Sequence, residues 1–240
     1  TMKMQRSQTL LLAAVTAVVT LATSAPATFC VRLDTDVPHH ESTPITLEVT
    51  RSLAPLGADQ FYALCEDQFY DDAAFFRVVP GFVVQFGIAG DPAENKKWAT
   101  PIKDDPVKAS NVRGTLTFAT AGPNTRTTQL FINYANNSRL DGMGFAPFAR
   151  VISGMATADA IFNPTPNSSM GIDQDNYTAL GNAWIRSAYP NVNFITRAAV
   201  VQCPGSSSVV SPGRPQKKNQ TCSGGSTFEP GVIINQGTPS

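Results

Sequence analysis

The stretch FFRVVPGFVVQFG, residues 75–87, decides how this chain is read. It is almost wholly apolar, yet it carries one cation, Arg77, and one amide, Gln85. Counted by twos, Phe75, Arg77 and Val79 fall on one side, and Phe76 and Val78 on the other. After Pro80-Gly81 the alternation resumes, with Val83, Gln85 and Gly87 against Phe82, Val84 and Phe86. Alternation on β-branched and aromatic residues is a strand signal. A Pro-Gly pair between the two runs forces a break or bulge. The expected product is a sheet surface that presents Arg77 and Gln85 from adjacent strand segments amid apolar side chains. An arginine in an arbitrary strand keeps its head in water; flanks this apolar leave that reading and a functional site evenly matched, and a second segment decides between them.

A second segment, GTLTFATAGPNTRTTQLFIN at 114–133, completes the pattern. A strand over 115–121 runs into the turn signal Gly122-Pro123-Asn124, and a second apolar strand follows over 129–133. The first segment reads F-x-R-V-x-P-G-F-x-x-Q. About thirty residues later the second reads F-A-x-A-G-P-N-T-x-x-x-Q-x-F. Together they resemble the cyclophilins, the cyclosporin-binding type of peptidyl-prolyl cis-trans isomerase, and the resemblance covers residues 29–202. It implies a mainly β fold, a closed eight-stranded antiparallel β-barrel capped by two α-helices. It also implies Pro-containing polypeptides as substrates, with no cofactor and no metal.

The rest of the chain reads consistently with such a barrel. Strands are expected over 29–33, 45–50, 147–152 and 194–201. An amphipathic helix is expected over 56–67, with Ala58, Phe61, Leu64 and Cys65 at helical spacing behind Pro55. A second helix fits 173–186, with Tyr177, Leu180 and Trp184 on one face. Many short strands with turn signals and two helices describe a capped barrel. Residues 87–114, with Asp91-Pro92, Thr100-Pro101 and Asp105-Pro106, read as a long polar surface loop.

The chain has 240 residues, with 18 Lys plus Arg balanced by 18 Asp plus Glu. No basic stripe is present, which argues against nucleic acid. Lys3 and Arg6 precede the apolar run 10–22, and Ala25-Pro26-Ala27 gives a small-x-small exit. This has the form of a secretory signal over 1–27, cleaved after Ala27. The run is too short for a comfortable membrane span. A folded domain is expected over 28–203 and a disordered Pro/Gly/Ser-rich tail over 204–240. Sequons stand at Asn136, Asn167, Asn176 and Asn219.

Four cysteines, Cys30, Cys65, Cys203 and Cys222, allow three disulfide connectivities. Cys30–Cys203 is favoured, because strands from the two ends of a closed barrel can be neighbours; Cys65, on a helix, fits a buried free thiol. His39 and His40 are the only histidines. They lie in a polar loop, and no Cys/His spacing marks a metal site.

Prolyl isomerisation needs no covalent step. Rotation must overcome a barrier of about 18–20 kcal/mol set by amide resonance. In the twisted state the prolyl nitrogen gains a lone pair. A fixed guanidinium that donates to it binds the transition state better than the ground state. By the resemblance, Arg77 is that catalytic cation, and Gln85 bonds the substrate backbone and orients Arg77. Phe82, Val83, Phe131, Leu140 and Phe145 line the proline pocket, Phe145 near the place where many members carry His. Thr120 grips the substrate chain through its backbone, and Ala121 and Gln129 flank the neighbouring subsite. Arg139 stands where many eukaryotic members have a Trp that contacts cyclosporin, so weak drug binding is expected; a monomer is expected as well. A second reading is a module that docks Pro-containing segments without useful turnover; only the enzyme needs Arg77 with Gln85 behind it. A hydrolase fails for want of a base.

Overall fold

A computed structural model of the chain describes residues 24–205. The run 10–22, nearly all of the tail, Cys222 and the Asn219 sequon lie outside the described residues.

Among the described residues nine strands form one antiparallel sheet. They are β1 (Thr28–Thr35), β2 (Ile45–Thr50), β3 (Ala73–Ala74), β4 (Arg77–Val79), β5 (Val83–Phe86), β6 (Thr115–Phe118), β7 (Leu130–Asn133), β8 (Pro147–Ser153) and β9 (Phe194–Val201). Their order is β3-β9-β1-β2-β8-β6-β7-β5-β4. Four α-helices accompany them: α1 (Pro55–Glu66), α2 (Pro92–Lys97), α3 (Met155–Asp159) and α4 (Gln174–Ala188).

The hydrogen-bond ladder is a curled sheet of nine strands and does not by itself confirm the expected closed, eight-stranded barrel. The hydrogen-bonded order begins at β3 and ends at β4, and these two strands are not paired with each other. The chain itself crosses the seam: β3 pairs with β9, and only Phe75 and Phe76 separate it from β4, which pairs with β5. The sheet is therefore curled, and its two ends meet along residues 73–79 through the backbone.

That crossing also breaks the alternation expected from Phe75 onward. Phe75 packs in the main core with Val78, Val84 and Phe86, whereas Phe76 enters a second cluster with Ile172 and Tyr177. Arg77 faces away from the main core. The chain changes pairing partner between Ala74 and Arg77, so the inward-outward phase is reset there. Beyond the reset the reading holds. Pro80-Gly81 makes a hairpin turn closed by Phe82 N–H on Val79 O at 2.9 Å, and Arg77 stands directly opposite Gln85 in the β4–β5 register.

The core is strongly aromatic. Phe61, Tyr70, Phe75, Phe86, Phe118 and Phe148 are fully buried and touch edge-on, tilted or stacked. α1 packs on this core through Ala58, Phe61, Leu64 and Cys65. Burial pushes the Cys65 thiol well above its usual range, so it is an inert apolar group. Cys30 is bonded to Cys203, which ties β1 to the residue just past the end of β9; Cys30 pairs with Val201 in the ladder.

The segment 87–114 departs from expectation because its polar residues are used internally. The 87–114 loop contains α2, where Asp91 caps Ala93 N–H at 2.9 Å and Pro92 takes the first helical position. An Asp-Pro pair serves as helix start as readily as turn. The same loop sends Asp105 into the interior. Its carboxylate accepts from Leu56 N–H at 3.0 Å and Gly57 N–H at 2.8 Å, at the start of α1. It also accepts from both terminal nitrogens of Arg126, each at 3.2 Å.

Residues 25–27 also pack against the domain. Ala25 is buried in the main core, its N–H donates to Asp59 Oδ1 at 2.9 Å, and Ala27 O accepts from Arg51 N–H at 3.0 Å. Residues 25–27 are thus held by the domain.

Candidate active site

β4, β5 and β7 supply one face of the site. Arg77 lies opposite Gln85, and Gln85 opposite Phe131, so three neighbouring strands present a cation, an amide and a ring side by side. Arg77 Nη1 donates to Gln85 Oε1 at 3.0 Å, and Gln85 Nε2 donates to Gln129 Oε1 at 2.8 Å. On its other side, Arg77 Nε donates to the backbone oxygen of Ser169 at 2.6 Å. The result is a four-membered chain of hydrogen bonds, Ser169–Arg77–Gln85–Gln129, running across the site.

Both of those acceptors for Arg77 are neutral, and no carboxylate is paired with it among the described residues. Arginine has five N–H donors, so three remain for a ligand. Burial lowers the pKa of the guanidinium from its ordinary value. From so high a starting point it stays charged at neutral pH.

Beside this chain stands an apolar cluster of Val83, Phe131 and Leu140, with Phe82, Ala119 and Phe145 packed against it. The rings of Phe131 and Phe145 meet edge-on at 5.7 Å. Together with the polar chain they enclose a pocket of about 440 Å³, lined by all ten residues expected from the sequence. In Thr120 the hydroxyl closes on its own turn, bonding Gly122 O and Thr125 Oγ1; Ala121 N–H donates to Thr125 Oγ1 at 2.9 Å. The Arg139 guanidinium lies over the Phe82 ring, 4.7 Å from its centroid.

The walls are fixed from below by three buried amides. Asn111 donates to Asp141 Oδ1 at 2.8 Å and to Phe145 O at 2.9 Å. Its own Oδ1 accepts from Thr117 and from Asn133. Asn137 donates to Asn133 Oδ1 and to Phe82 O, each at 2.8 Å. The backbone at two aromatic walls, Phe82 and Phe145, is thereby tied to one satisfied network, the arrangement that specifies a single conformation. Burial pulls the Asp141 carboxyl up, but the bonds from Ser110 and Asn111 outweigh it and hold it below its usual range.

The sequence reading missed the 160–173 loop and the start of α4. Ser169 bonds Arg77, and Met170 and Gln174 line the pocket. The one available signal was Met170, a large apolar residue inside the polar run PTPNSSMGID. His39 and His40 do not line the pocket, where Arg77 is the sole ionisable side chain among the described residues.

The site thus sets one guanidinium, held by two neutral oxygens, beside an apolar pocket. The family profile described as Cyclophilin type peptidyl-prolyl cis-trans isomerase/CLD matches residues 31–179. A peptidyl-prolyl cis-trans isomerase of Acinetobacter baylyi is 36% identical over 137 residues, 55% of this chain and 72% of the relative. Peptidyl-prolyl cis-trans isomerase A of Dickeya dadantii is 35% identical over 158 residues, 63% of this chain and 83% of the relative. Among solved structures, a cyclophilin type isomerase of Cryptosporidium parvum superposes with a TM-score of 0.54 at 21% identity, covering 74% of this chain and 99% of its own. The chain belongs to the cyclophilin-type peptidyl-prolyl cis-trans isomerases, and it carries that family's curled antiparallel sheet.

Proposed function

We propose that this protein accelerates cis-trans isomerisation at proline in exported polypeptides, with Arg77 as the catalytic cation. The observation that carries this is the guanidinium itself. It is half-buried, held by two neutral oxygens, and beside an apolar pocket lined by Phe82, Val83, Phe131 and Leu140. Phe82, Val83, Phe131, Leu140 and Phe145 hold the ring, Gln85 orients Arg77, and Thr120, Ala121 and Gln129 receive the neighbouring chain. As the prolyl nitrogen becomes pyramidal, an Arg77 N–H meets its new lone pair. Because the donor is already in place, little reorganisation opposes the step. A module that only docks Pro-containing segments needs the pocket but not the oriented cation.

The pH profile tests this assignment. Among the described residues no His, Cys or carboxylate lines the pocket, so turnover is expected to be flat between about pH 6 and 9. Isomerisation rates measured across that range check it; a bell with a limb near pH 7 would assign the catalysis elsewhere.

Cyclosporin should inhibit weakly. Arg139, stacked on Phe82, puts a charged group where an indole face would otherwise meet the drug. Arg139→Trp is expected to tighten inhibition by about tenfold or more, about 1.4 kcal/mol. Nanomolar inhibition of the unaltered protein would contradict this.

The basic-apolar-small order of residues 3–27 and the Cys30–Cys203 bond support a secretory route. Since Ala25 is held in the core, we place the signal cleavage after Ser24, where Ala22-Thr23-Ser24 also gives a small-x-small exit. Mass analysis of the exported protein tests this; a mature chain starting at Thr28 would exclude it.

A further inference from the structure

We propose that the 160–173 loop and the start of α4 add a subsite to the pocket, in which Met170 and Gln174 select a large apolar side chain next to the substrate proline. The proposal rests on the prolyl-isomerase reading and extends it to sequence preference.

Met170 is 73% exposed, the most exposed large hydrophobic residue among those described, and it lines the same pocket as Arg77. Its backbone is pinned on both sides. Met170 N–H donates to Ser168 Oγ at 3.1 Å, and the preceding carbonyl, that of Ser169, accepts from Arg77 Nε. Gly171 follows at φ +80°, so close to Arg77 that a Cβ there would stand 2.6 Å from Arg77 Cβ and 2.9 Å from Phe76 O. Only glycine combines that left-handed conformation with that approach. Ile172 then buries its side chain and donates to Phe76 O at 2.9 Å. A fixed backbone thus presents an unpacked, adaptable thioether to the site, the property that suits methionine to apolar recognition surfaces.

Gln174 is the first residue of α4. Asp173 caps that helix by accepting from Asn176 N–H at 3.0 Å. Its amide offers one donor group and one acceptor to a substrate backbone. Met170 adjoins the Ser169 end of the hydrogen-bond chain, while Ala121 and Thr120 adjoin the Gln129 end. A peptide whose proline lies in the apolar cluster therefore meets a different subsite on each flank of the Arg77–Gln85 pair.

The test uses two series of prolyl peptides, varied at the residue before and at the residue after proline, with kcat/KM measured for the full domain. At one of these two positions the unaltered protein is expected to prefer Leu over Ala by about five- to tenfold. In Met170→Ala that ratio falls to about twofold or less, and in Met170→Glu the preference at the same position moves to Lys. Met170 is solvent-facing, so the variants should keep the parent's thermal unfolding midpoint. An active parent whose Leu/Ala ratios are unchanged in Met170→Ala overturns the subsite alone. A parent that isomerises no prolyl peptide overturns the subsite and the isomerase reading together.

Discussion

Arg77→Ala is expected to lose about two to three decades of turnover and to keep measurable activity. An acceleration of about 10⁵-fold requires about 7 kcal/mol of transition-state stabilisation at about 1.36 kcal/mol per decade. A charge-assisted hydrogen bond contributes about 1.5–3 kcal/mol net, and deleting one preorganised donor costs about 10²–10³ in rate. The guanidinium therefore supplies a large part and not the whole. The remainder comes from Phe82, Phe131 and Leu140 holding the ring while the chain twists. The fold should survive, because Arg77 faces away from the main core and pairs with no buried carboxylate. Prolyl-peptide affinity should fall far less than turnover. Arg77→Lys should not restore the rate, since a lysine cannot keep Ser169 O and Gln85 Oε1 as partners and still aim a planar donor. Rate, affinity and thermal unfolding on the same purified variants check this; an unchanged rate with an intact fold would remove Arg77 from the mechanism.

Asp105→Ala is expected to destabilise the domain by about 3–5 kcal/mol, the cost of breaking a buried ion pair from one side. The side chains of Asp105 and Arg126 are 3% and 5% exposed. The substitution removes the acceptor for two N–H groups at the start of α1 and takes away the buried partner of Arg126, leaving the exposed Asp104, 3.2 Å from Arg126 Nε, as the carboxylate that still faces it. Arg126 also bonds Lys103 O and belongs to the segment between Thr120 and Gln129, so the pocket wall should loosen as well. Replacing Arg126 by Met in the same chain removes that buried charge and should recover part of the loss. Urea unfolding of the single and double variants measures both effects; a loss below about 1 kcal/mol for Asp105→Ala would show that the pair contributes little.

The sequence carried the site further than it carried the scaffold. Arg77 and Gln85 could be paired from the chain alone because a short Pro-Gly hairpin fixes their register, and local turn chemistry is what sequence patterns encode best. Phe75 and Phe76 were misplaced because the phase of a strand is set by its pairing partner, and that partner changes at the seam between β3 and β4. Asp105 looked like a loop residue because its partners at α1 and Arg126 are 48, 49 and 21 residues away. Ser169 was invisible for a related reason: it acts through a backbone oxygen, which no side-chain pattern reports. α4 was found, but its buried face and its break were not: Tyr177, Gly181 and Ile185 turn inward, while Leu180, expected on the apolar face, is 52% exposed. Gly181 sits at φ +66°, and Asn182 N–H bonds Gly90 O, so the helix is interrupted by a contact with a distant loop.

The most direct test of the central claim is exchange spectroscopy by NMR on a prolyl peptide mixed with catalytic amounts of this protein. It reads interconversion of the cis and trans forms at equilibrium. The uncatalysed exchange takes tens to hundreds of seconds. The account predicts cis-trans exchange faster by orders of magnitude, an unaltered cis:trans ratio of the free peptide, and loss of most of that acceleration in Arg77→Ala. Peptide binding to the pocket residues with exchange no faster than in buffer would contradict it and leave a docking module in its place.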